Sequence, residues 1–171
     1  MKSRLWIILA GLVGFSSLML AQDVTYNFDQ TANFAKYHTY KWVALPNTAY
    51  PNQLVDNQIR AAIDSQLAEK GFTPAMGANP DLHVAYQVSI DREQQLNTWG
   101  GYGWGGTGTI TTSTVNVGTL VVDFFDPAAN KLIWRGQGTK TLNPSSNPEK
   151  NQERLEKGVK KVLKNFPPKS K

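Results

Sequence analysis

The residues with the greatest chemical potential in this chain lie in one glycine-rich stretch. Trp99, Tyr102 and Trp104 are spaced among Gly100, Gly101, Gly103, Gly105, Gly106 and Gly108. Flat aromatic faces stack on sugar rings or anchor in a partner's pocket, and glycines leave few neighbouring side chains to bury them. These three residues are therefore the expected ligand- or partner-binding site, against the plainer alternative of a hairpin tip whose rings fold back onto an open sheet face. The same stretch reads Gly103-Trp104-Gly105-Gly106-Thr107-Gly108, a formal match to the GxGxxG loop that cradles a dinucleotide pyrophosphate. That loop must open a helix whose amides meet the phosphates, whereas this one runs into a β-branched, strand-forming segment. No cofactor is expected from it.

The remaining reactive side chains do not converge in the sequence. His38 and His83 are the only histidines, and no HExxH or similar spacing surrounds them, so no metal site is expected. The absence of cysteine removes disulfides, thiolate metal ligands and a cysteine nucleophile. Asp123 and Asp126 bracket a strand end, and Asp91 adjoins Arg92 and Glu93; turn-forming and solvated roles suit them better than acid–base catalysis, which needs two carboxylates at a defined separation. There is no GxSxG elbow. No catalytic residue is assigned, and a hydrolase ranks behind two binding readings.

The elements that must carry these residues follow from periodicity. Val24, Tyr26 and Phe28, then Tyr40, Trp42 and Ala44, alternate with polar residues as half-buried strands. Between them residues 30–36 read as a polar connection. Residues 52–70 place Leu54, Val55, Ile59, Ala62, Ile63 and Leu67 on one helical stripe, stopped by Gly71. Leu82, Val84, Tyr86, Val88 and Ile90 point one way along the clearest strand. Residues 109–117 and 119–125 make two strands or one bent one, with Gly118 as the expected bend or bulge. After a turn at 126–130, residues 132–142 return as a strand with Leu132 and Trp134 on one face. Asn147 and Pro148 then open a helix with Leu155, Val159, Val162, Leu163 and Phe166 on its core stripe, ended by Pro167 and Pro168. Hairpins imply antiparallel pairing, and two one-faced helices cover one side of a sheet. The expected fold is α+β, a two-layer sandwich of a mainly antiparallel β-sheet with two α-helices packed on one face.

Composition sets the setting. The chain has 171 residues, 40% apolar, with 18 Lys+Arg against 13 Asp+Glu. Lys2 and Arg4 precede an apolar run over residues 5–20 that is shorter than the roughly 20 residues of a bilayer-spanning helix. Residues 1–21 therefore read as a secretory signal peptide, and residues 22–171 as one domain exported to the periplasm or cell envelope. Cleavage after Ala21 removes two of the five excess positive charges, leaving too little to imply nucleic acid. Residues 149–171 concentrate eight Lys/Arg against three Glu, so the last helix offers weak contact with an anionic membrane surface.

The strings NFDQTANFAKYHTYKW, PDLHVAYQV, GTLVVDFFDPAANKLIWRGQGT and NPEKNQERLEKGVKKVLKNFP resemble successive blocks of the bacterial envelope family called domain of unknown function 4136, over nearly all of the chain after its leader. The resemblance implies an exported α+β domain, often held at a membrane as a lipoprotein, with no catalytic residues to carry over. The anchor needs a cysteine, which this chain lacks, so an unanchored periplasmic form is expected. The leading functional reading is a non-enzymatic envelope binding or assembly module that presents the Gly/aromatic loop and open sheet face to a protein. The alternative is a cell-wall glycan binder using Trp99, Tyr102 and Trp104.

Overall fold

Alternating apolar and polar residues become strands, and the sequence order closes them into one sheet. A computed structural model of the chain describes residues 23–99 and 109–169. Its strands are β1 (Asp23–Phe28), β2 (Thr39–Trp42), the two-residue β3 (Thr73–Pro74), β4 (Leu82–Trp99), β5 (Thr109–Asp126) and β6 (Lys131–Leu142). They pair in the order β1-β6-β5-β4-β2-β3. The three ladders from β1 to β4 are antiparallel, whereas β2 runs parallel to both β4 and β3. The sheet is thus mixed, with its parallel part confined to the β2 end. The parallel connection requires a crossover, supplied by α1 (Gln53–Glu69). The second helix, α2 (Pro148–Val162), follows β6. Residues 34–36, expected as plain connection, form a short 3-10 turn capped by Asn33.

Both helices lie on the same face, as the apolar stripes require. Ile59, Ala62, Ile63 and Leu67 of α1 and Val159 and Val162 of α2 share one buried cluster with Leu82, Val84, Tyr86, Val122, Phe124 and Trp134. Phe166, just past α2, stacks on Phe124 with centroids 3.8 Å apart and meets Trp134 edge-on at 5.2 Å. Local chemistry sets the helix ends. Asn52 accepts from Val55 N–H and Asn147 from Glu149 and Lys150 N–H, each satisfying donors that the first turn leaves open. Gly71 takes φ +86° after α1, the left-handed stop available to a residue without Cβ.

Four details differ from the sequence expectation. Residues 109–126 are one continuous strand, and Gly118 is not a bulge; it pairs regularly with Ile90 and lies under Leu142. The bulge falls opposite Phe124 and Phe125, where β6 carries Ile133 as the extra residue. Trp134 therefore pairs with Phe124 on the helix face while Leu132 pairs with Phe125 on the other, so Leu132 and Trp134 do not share a face. Leu54 and Val55 are exposed, and the buried stripe of α1 begins only at Ile59. Ile90, at the end of the β4 stripe, is 65% exposed although Leu82, Val84 and Tyr86 are buried.

Candidate functional site

The feature of greatest functional interest is the length of β4 and β5. They pair without interruption from His83↔Phe125 to Trp99↔Thr109, whereas β6 joins β5 only from Asn116 onward. Beyond the row Arg92–Asn116–Leu142 the two strands leave the sheet as a ribbon. At ~3.3 Å per residue the backbone of Trp99 stands about 23 Å past that row. Among the described residues nothing else pairs with the ribbon. Of the three aromatic residues singled out by the sequence, Trp99 ends β4; Tyr102 and Trp104 lie outside the described residues. Both attachment points of segment 100–108, Trp99 and Thr109, are at the far end of this arm.

The second surface is the sheet face opposite the helices. Cross-strand rows there run Ala85–Asp123–Arg135–Asn27 and Gln87–Val121–Gln137–Thr25. Neither helix covers it, and Thr25, Asn27, Arg135 and Gln137 are exposed. Its charged centre is a two-pronged ion pair. Arg135 Nε donates to Asp123 Oδ1 at 2.6 Å and a terminal nitrogen to Oδ2 at 2.7 Å. The carboxylate side chain is 1% exposed and the guanidinium 48%, so Arg135 covers the acid while facing water itself. The hydrogen bonds to Asp123 raise the guanidinium's pKa further, so Arg135 stays fully charged.

Four aspartates, Asp126 among them, are engaged in building the fold. Asp126 Oδ1 accepts from Ala128 and Ala129 N–H, closing the β5–β6 turn, and Oδ2 accepts from Tyr37 hydroxyl at 2.7 Å and Lys36 Nζ at 3.0 Å. Burial pushes this carboxyl up, but the bonds from Ala129, Tyr37 and Lys36 outweigh it and hold it at about 2. Asp81 accepts His38 N–H, Thr39 N–H and Thr39 hydroxyl, and those backbone bonds lower its pKa. On the helix side Asp64 takes Tyr40 hydroxyl and Trp42 Nε1, and Asp56 takes Tyr86 hydroxyl and Arg60 Nε. Burial first, then the bond to the acid, raises both tyrosines. The turn role of Asp126 is legible in the sequence, whereas the tyrosine–aspartate pairs are not, because each joins residues 24 or more positions apart, which local spacing does not reveal.

The histidines are not brought together. His38 Nδ1 meets Lys36 C=O at 3.2 Å, and His83 lies on the open face paired with Phe125. Beside His83 a shallow depression of about 180 Å³ is lined by Val43, Leu45, Phe125, Pro127 and Asn130 as well. Between α1 and α2 a larger groove, about 350 Å³, is bordered by Ala62, Ser65, Gln66, Gln152, Glu156 and Lys160. Among the described residues no three His, Asp or Glu side chains cluster as a metal site would require. No described helix is long and apolar enough to cross a membrane.

The geometry defines a class, an α+β domain with a bare sheet face and a projecting two-stranded arm. Its family is known by sequence: the chain belongs to the family described as domain of unknown function (DUF4136), whose pattern matches residues 24–168. No curated protein sequence matches it. Among solved structures it is similar to a PDZ domain protein from Parabacteroides distasonis, with 13% identity and a TM-score of 0.58, over 86% of this chain and 36% of that one. The chain thus spans about a third of that protein's length. It is also similar to a PelC dodecamer from Paraburkholderia phytofirmans, with 14% identity and a TM-score of 0.51, over 84% of this chain and 95% of that chain. At such identities these likenesses show the fold.

Proposed function

We propose that this protein is a non-enzymatic binding or assembly module of the bacterial cell envelope, working through the β4–β5 arm and the open sheet face. The observation that carries the reading is the arm, which extends about 23 Å past its sheet with no third strand paired to it among the described residues. A two-stranded ribbon is marginal by itself in water, so an arm of this length is best explained by a partner that completes it. The PelC structure from P. phytofirmans, of similar fold, was solved as a dodecamer, which supports an assembly role for such a domain. Membership of the family agrees with a binding role and supplies no activity.

The setting is part of the proposal. Residues 1–21 export the chain, and residues 22–171 act in the periplasm without a lipid anchor. Exposed Lys150, Lys161 and Lys164 on and just after α2 add a weak attraction to anionic headgroups. N-terminal sequencing of the periplasmic fraction tests this: a chain starting near Gln22 is expected, and an intact leader on a cytoplasmic protein contradicts it.

A second reading, cell-wall glycan binding, is favoured by Trp99, Tyr102 and Trp104 among the glycines of the sequence that follows β4. Sedimentation with purified peptidoglycan separates the two. A protein-binding module stays in the supernatant and is crosslinked to envelope proteins through the arm; a glycan binder pellets, and Trp99→Ala with Trp104→Ala releases it. Crosslinking and sedimentation both unchanged by removal of the arm would refute both readings.

A further inference from the structure

β4 is an edge strand for most of its length. Val84 C=O accepts from Val43 N–H, so its backbone groups point toward β2. Strand alternation sends the N–H and C=O of Val88, Ile90, Arg92, Gln94, Leu96 and Thr98 to that same side. β2 ends at Trp42, opposite Val84, and no described strand follows it along β4. Ile90 and residues 91–95 are exposed. Natural proteins guard such edges with proline, charge or a bulge. Here the ladder with β5 is regular, and residues 94–99, Gln-Gln-Leu-Asn-Thr-Trp, carry neither charge nor proline. The only charges on the edge are Asp91, Arg92 and Glu93, at its root.

We propose that this edge pairs with the same edge of a second copy, antiparallel about a two-fold axis at Gln94, joining two arms into a four-stranded ribbon. This deepens the assembly reading above and rests on it. The charges select the register. In a two-fold antiparallel pair each residue must meet one on its own face, so the axis passes through a residue. An axis at Asp91 opposes Asp91 to itself; at Arg92 it opposes Arg92 to itself and Asp91 to Glu93; at Glu93 it opposes the two glutamates. Like charges directly opposite are destabilising. At Gln94 every such clash disappears: Asp91 meets Asn97, Arg92 meets Leu96, Glu93 meets Gln95, and Ile90 meets Thr98. Axes further out remove the charges too, but shorten the overlap. The Gln94 register keeps residues 89–99 paired and forms about ten main-chain hydrogen bonds from groups that already point outward. The root charges thus set the depth of engagement and leave the uncharged part of the edge to pair.

The absence of native cysteine makes the test direct. In the Gln94 register the two Gln94 Cα atoms are about 5.5 Å apart, within disulfide range, and moving the axis by one residue takes them beyond it. Single-cysteine variants Glu93→Cys, Gln94→Cys and Gln95→Cys are oxidised at micromolar concentration, and the native chain is weighed by sedimentation equilibrium. The expected result is a native dimer and at least tenfold more covalent dimer for Gln94→Cys than for its neighbours. Gln94→Pro, whose lost N–H points away from β5, is expected to be monomeric with the β4–β5 ladder intact by amide exchange. A native chain that is monomeric throughout, or equal crosslinking at all three positions, overturns the proposal. Arm-dependent capture of an envelope protein by such a monomer would leave the wider binding role standing, so the two ideas fail separately.

Discussion

Replacing Gly136 by alanine tests the core packing under the open face with a single methyl group. An added Cβ would sit 2.2 Å from Trp134 Cη2 and 2.8 Å from Cζ3, whereas carbon contacts settle near 3.5–4.0 Å. Trp134 has nowhere to retreat: it is fully buried, with Phe124 at 5.4 Å and Phe166 at 5.2 Å between centroids. Alanine in a strand normally gains about 0.5–1 kcal/mol over glycine, while overpacking a filled core costs about 1–3 kcal/mol and sometimes more. With a contact this short the clash should win, for a net loss of about 1–2 kcal/mol, or ~2–8 °C in Tm for a chain of this size. Gly118→Ala is the internal control. Its Cβ would approach Leu142 Cδ2 at 2.9 Å, the flexible end of a half-buried side chain that can yield, so a change within about 1 kcal/mol is expected. Paired thermal and urea melts read both. Gly136→Ala as stable as the parent, or no worse than Gly118→Ala, would refute the packing argument.

Further predictions concern charge and the arm. Arg135→Ala leaves Asp123 buried without its partner and should cost about 2–3 kcal/mol, with part restored when Asp123 is also replaced by alanine; a double-mutant cycle by urea melt that shows no coupling would contradict the ion pair's role. Asp29, Asp56, Asp81 and Asp126 have folded pKa values below the unfolded carboxylate value, so their stabilisation is complete above about pH 4 and is lost as pH falls through those folded values, which for Asp29 and Asp126 lie at about 2. For buried Asp126, after allowance for solvent around half-exposed Lys36, this amounts to about 1–2 kcal/mol, and Asp126→Asn should flatten the acid limb of a pH–stability curve by that amount. Replacing residues 92–116 by Asn-Gly should leave Tm within about 3 °C, since among the described residues the excised stretch joins the rest of the sheet's strand ladders only through Asn116 opposite Leu142; unfolding of the remainder would show that the arm belongs to the core.

Periodicity carried most of the fold. Stripes such as Leu82-Val84-Tyr86 and Ile59-Ile63-Leu67, and caps such as Asn147-Pro148, record local geometry and led to the α+β sandwich with both helices on one face. Long-range events left weaker traces. The bulge at Ile133 reverses Leu132 without any glycine to mark it, because it answers the pairing of two distant strands. Parallel pairing of β2 depends on the crossover through α1 and has no signature in the four residues of β2 itself. At the site, the Gly/aromatic composition drew attention to residues 99–108, and the polar, β-branched run after them looked like an ordinary strand. What could not be read was that β4 and β5 outlast β6 by seven of their 18 residues, since strand ends are set by where a neighbour stops. Asp123 was legible as a residue near a strand end, but its burial under Arg135 follows from cross-strand register alone.

The central claim, that the arm is the interaction surface, is tested most directly by crosslinking in the envelope of living cells. The native chain, the protein with residues 92–116 replaced by Asn-Gly, and the Trp99→Ala/Trp104→Ala variant would be expressed at equal levels, and crosslinked adducts resolved by mass. Adducts present for the native chain and lost with the arm are what the account predicts. The same adducts on the armless protein would contradict it.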